Sequence, residues 1–73
     1  MEKTIYVRLL NEGTTVFRPV TALNLGSDVY LISDVDANMF EDEILEFKPG
    51  TRVIVQERIL EGKKTLMAVA SAP

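Results

Sequence analysis

Apolar side chains recur at every second position over most of the chain, and a period of two marks half-buried β-strands. In the first run, Thr4–Leu10, the side chains of Ile5, Val7 and Leu9 point one way and those of Tyr6, Arg8 and Leu10 the other. Further runs cover Thr15–Leu23, Val29–Ser33, Thr51–Leu60 and Lys64–Ala70. In the longest, Val53, Val55, Glu57 and Ile59 alternate with Arg52, Ile54, Gln56 and Arg58. Turn residues separate the runs: Asn11-Glu12-Gly13, Gly26-Ser27-Asp28, Pro49-Gly50 and Glu61-Gly62. Pro19 has no N–H to give to a ladder, so its strand is expected on an edge or bulged at that point. Short strands every ten residues or so predict an all-β domain, a small five-stranded SH3-like barrel or strongly bent antiparallel meander. An OB-type barrel would normally spend residues on a helix, and none is evident.

The segment Asp34–Phe47 breaks the alternation. Phe40 and Ile44 stand four apart, which suits one helical turn, while Ile44, Glu46 and Phe47 suit a lead into a short strand. It reads as a loop with a brief extended end. Its charge is one-sided: six acids and no base lie between Asp34 and Glu46, whereas the rest of the chain has eight bases and five acids, or +3. The net charge of −3 therefore combines an acidic loop with a mildly basic body.

The alternation is also incomplete, because apolar residues occupy both faces of some strands. Phe17 and Leu23 oppose Val16, Val20 and Ala22, and Met67 and Val69 oppose Leu66 and Ala68. Two sources account for this: curvature of a barrel around Pro19, and a subunit interface covering the outer face. Length bears on the choice. With 73 residues the chain forms a single domain, 1–73, its last three residues expected to fray. Domains this small usually gain stability from disulfides, a metal or partner subunits. The chain has no cysteine and no histidine, which leaves association, and a homo-oligomer is expected.

The same absences exclude zinc fingers, iron–sulfur clusters and thiol or imidazole catalysis. Ser27, Ser33 and Ser71 sit in no recognisable catalytic motif, and Glu41-Asp42-Glu43 reads as a solvated run. Asp34-Val35-Asp36-Ala37-Asn38 opens like a calcium-binding EF-hand loop, but the sixth position is Met39 where glycine is needed, and the twelfth is Leu45 where glutamate is needed. The four glycines are isolated turn residues and make no phosphate-cradling loop. No enzyme, cofactor or metal site is expected. Apolar runs such as Met67–Ala70 are far short of the ~20 residues of a spanning helix, so no membrane is expected either. Met1–Leu10 does not read as a secretory leader, and with no cysteine the expected location is cytoplasmic.

What remains is binding. Tyr6, Arg8, Phe17, Arg18, Arg52 and Arg58 are the candidate interaction surface. Arginines beside aromatics on a small barrel suit nucleic acid, but the acidic balance disfavours a phosphate backbone. Arginines alternating with apolar residues also anchor protein interfaces. The expected function is a non-catalytic module that self-associates and binds an unidentified protein partner, with nucleic acid the alternative.

Val7-Arg8-Leu9-Leu10-Asn11-Glu12-Gly13-Thr14, then Arg18-Pro19-Val20-Thr21-Ala22, Leu25-Gly26, Glu41-Asp42-Glu43, Glu46-Phe47 and Pro49-Gly50 together resemble a set of small bacterial proteins. Some of these are encoded on mobile elements such as integron gene cassettes. The resemblance covers roughly residues 5–70, and where that family often has a tryptophan before Glu-Phe, this chain has Leu45. It implies a small β-barrel in a bacterial cytoplasm. It carries no ligand and no residue roles.

Overall fold

A computed structural model describes residues 2–10, 13–33 and 44–73. Five strands follow in chain order: β1 Glu2–Arg8, β2 Phe17–Gly26, β3 Val29–Ile32, β4 Arg52–Leu60 and β5 Lys63–Ser71. Each pairs antiparallel with the next, and β5 returns to β1 to close a barrel in the order β1-β2-β3-β4-β5. In a five-stranded meander the first and last strands run the same way, so the closing pair has to be parallel. It is made at a single register position, Tyr6 with Met67.

Alternation fills the barrel. Ile5, Val7, Val20, Ala22, Tyr30, Ile32, Val53, Val55 and Ala68 are buried inside it, with Val16, Phe47 and Leu66 packed against them. Each large aliphatic side chain taken out of water here contributes about 1.5–3 kcal/mol. Leu9 and Leu45 complete the core across an isolated antiparallel bridge. It is fixed on either side by Leu10 N–H donating to the Ile44 carbonyl (2.7 Å) and Glu46 N–H donating to the Arg8 carbonyl (2.8 Å). The end of the acidic segment is therefore extended, as its residues suggest. Residues 34–43, which hold most of the partial EF-hand pattern and five of the six acids of that segment, lie outside the described residues.

Three local features differ from, or sharpen, the reading of the sequence. First, Pro19 is opposite Tyr6 of β1. Leu9 N–H donates to the Val16 carbonyl (2.8 Å), so hydrogen-bonded pairs fall at odd β1 positions and the Tyr6–Pro19 pair is a non-bonded one. The ring nitrogen therefore faces away from β1, towards the side where β3 pairs from Ala22 and Ser33 N–H donates to the Thr21 carbonyl (2.9 Å). No described residue pairs with Pro19 on that side, and the bulge lies elsewhere, between Asn24 and Gly26. Asn24 stabilises that bulge with its side chain: Oδ1 accepts from Gly26 N–H (3.0 Å) and Nδ2 donates to the Ser27 carbonyl (3.2 Å).

Second, the β4–β5 hairpin outruns the core. Pairing of β3 with β4 stops at Val29–Ile54, while β4 continues to Leu60. Ile59 keeps the inward parity of Val53 and Val55, yet it is 67% exposed because no barrel lies beneath it. The turn is tight: Glu61 and Gly62 both have positive φ (52° and 80°), which matches a two-residue type I′ hairpin. Third, β5 runs through Ser71, and Ala72 N–H donates to the Arg52 carbonyl (2.8 Å), so the pairing reaches into the tail expected to fray.

Candidate interaction surface

Among the described residues the buried side chains are all hydrophobic, so the outward-facing ones are the candidates for binding. Directly opposed residues in paired strands share a face. Arg8 is opposite Phe17, and Tyr6 is opposite Pro19, so Tyr6, Arg8 and Phe17 come together on the outer face of β1 and β2. Tyr6 and Phe17 also line an open cleft of about 460 Å³ with Thr15, Val16, Leu60 and Glu61, between the β1–β2 end and the β4–β5 turn.

The other three arginines go elsewhere. Arg18 is opposite Val7, whose side chain is fully buried, so Arg18 projects from the face of β2 that carries Val16 and Val20, and it is half-buried. Arg52 is opposite Leu31 on the outer face of β4. Arg58 is on the overhanging hairpin opposite Thr65, and its Nη2 donates to Gln56 Oε1 (2.6 Å). The six candidates therefore form one cluster of three and three separate sites. Charge alone grouped Phe17 with Arg18, although adjacent strand residues must face opposite ways.

Sequence reasoning did not assemble a second surface. Across the barrel wall, register aligns Glu2, Leu23, Leu31 and Arg52 in one outward row over β1 to β4. Glu2, Leu23 and Leu31 line a shared groove of about 260 Å³. The next row holds Val29 and Ile54, both half-exposed, and beside them Leu25, extruded at the bulge, is 47% exposed. The available signal was the second set of apolar positions, Leu23 with Leu25 and Ile54, read jointly across strands. Leu10 and Ile44 form a further exposed apolar pair at the end of β1.

Among the described residues no three acidic side chains gather as a metal cluster, and no helix is long and apolar enough to cross a membrane. No family model, curated protein or solved structure matches the chain.

Proposed function

We propose that this protein is a non-catalytic interaction module that associates with itself and docks a protein partner. The observation that carries the proposal is the apolar outer wall of β2, β3 and β4, formed by Leu23, Leu25, Val29, Leu31 and Ile54 around a barrel whose core is already filled. Contiguous apolar surface on a small domain marks interaction sites, whereas single exposed residues need no explanation. The partner's side is assigned to the Tyr6–Phe17–Leu60 cleft, where two aromatics offer large contact area at low entropic cost and Arg8 stands beside them. Light scattering over a micromolar concentration series tests self-association. The expected result is a mass that rises with concentration from the 8.2 kDa of one chain. A constant mass across the series contradicts it.

Nucleic-acid binding is the second reading, and the grouping of Tyr6, Arg8 and Phe17 is what favours it. It predicts oligonucleotide affinity that survives about 150 mM salt, because a few phosphate contacts alone weaken steeply with ionic strength. The dispersal of Arg18, Arg52 and Arg58 favours the protein-binding reading.

A further inference from the structure

Resting on the self-association proposed above, we infer that the partner on the β2–β3 wall is a second copy of this chain, packed face to face about a twofold axis that runs along the strands between β2 and β3. The register supports this arrangement. The row across the wall reads Glu2, Leu23, Leu31, Arg52: an acid, two leucines and a base. A twofold between the leucines reverses the row in the facing copy. Leu23 then meets Leu31 of the second copy, Leu31 meets Leu23, and each terminal charge meets its opposite, Glu2 against Arg52 and Arg52 against Glu2. Strand spacing puts Glu2 and Arg52 of one chain about 14 Å apart along the sheet, so the two do not pair with each other within one chain.

The adjoining row obeys the same operation. Val29 is paired with Gly26, next to the extruded Leu25, so the axis carries Val29 onto the Leu25 region of the facing copy, apolar on apolar. The groove lined by Glu2, Leu23, Leu31, Ile32, Ser33 and Gly50 gives the wall a concavity that a leucine side chain can enter. The two walls would pack in the aligned class, their strands within about 30° of each other. In the Glu2–Arg52 row each leucine meets a leucine and each charge its opposite, the self-complementarity that an isologous interface requires.

The alternative route to a dimer, edge pairing of two β4 strands, is opposed by charge. Val55 N–H donates to Asp28 and Ile32 N–H donates to the Thr51 carbonyl, so odd-numbered β4 residues bond towards β3, and Glu57 and Ile59 present theirs beyond the last β3 pair. A twofold centred on Glu57 sets Glu57 on its own copy, one centred on Arg58 sets Arg58 on its own copy, and one centred on Ile59 sets Glu57 against Glu61. Like charges directly opposed are destabilising in every case.

Charge reversal on the full chain, followed by sedimentation velocity at low salt, tests the arrangement. Glu2→Arg and Arg52→Glu each place like charges at both ends of the interface, and each is expected to weaken dimerisation about tenfold. The double variant restores the opposite pairing and is expected to recover most of the affinity. Leu23→Glu, at a position already exposed, abolishes the dimer without touching the core. If the unaltered chain associates but ignores all four variants, the wall is not the interface and the inference falls while self-association stands. If the unaltered chain is monomeric throughout, both fall together.

Discussion

Leu45 occupies the place where the acidic segment rejoins the barrel, and it is only 6% exposed opposite Leu9. Leu45 and Val16 flank Leu9 there, so truncating Leu45 opens the core on one side of that residue. Leu45→Ala is therefore expected to cost ~2–5 kcal/mol, a large part of the stability of so small a domain, as read by the midpoint of urea unfolding. A loss under about 1 kcal/mol would mean that the end of the barrel closes without Leu45. Inward residues of this kind follow from alternation, which sets Ile5, Val7 and Leu9 on one face of the first strand and Val53 and Val55 on one face of the longest. Arg18 shows what charge-based grouping loses: its neighbour Phe17 lies on the opposite face, so the two cannot share a surface. Leu25 shows a different limit. Its exposure comes from a bulge stabilised by the Asn24 side chain, and strict alternation has no place for an extra residue.

Strand lengths set what is left uncovered. β3 has four residues and β4 has nine, so the last six residues of β4 have no β3 partner and the β4–β5 hairpin extends past the core. The sequence indicates the hairpin, through Glu61-Gly62 and the alternation on either side. It does not reveal that the barrel ends beneath it, because that depends on a neighbouring strand being short. An edge with no partner among the described residues invites sheet extension, and Glu57 and Arg58 guard against it with charge. Replacing both with threonine keeps strand propensity and removes the repulsion. The Glu57→Thr/Arg58→Thr variant is expected to aggregate at concentrations where the unaltered chain stays clear, with a rise in thioflavin fluorescence. Equal clarity of the two proteins would show that the overhang needs no such protection.

The complete barrel has a filled interior and an apolar wall, and in the arrangement proposed above a chain of 73 residues without thiols or imidazoles would gain stability by covering that wall with another copy. The five-strand architecture was readable from spacing and turns because each strand reports its own period. The wall was not, because Glu2, Leu23, Leu31 and Arg52 become a row only once the register of three strand pairs is fixed. The most direct test is a dilution series of amide NMR spectra on the isotope-labelled chain. Chemical shifts at Leu23, Leu25, Val29 and Leu31 are expected to move together with concentration, while those on the β4–β5 overhang around Ile59 stay fixed. Spectra that do not change from the most dilute to the most concentrated sample, with the relaxation of an 8.2 kDa particle throughout, would contradict the account.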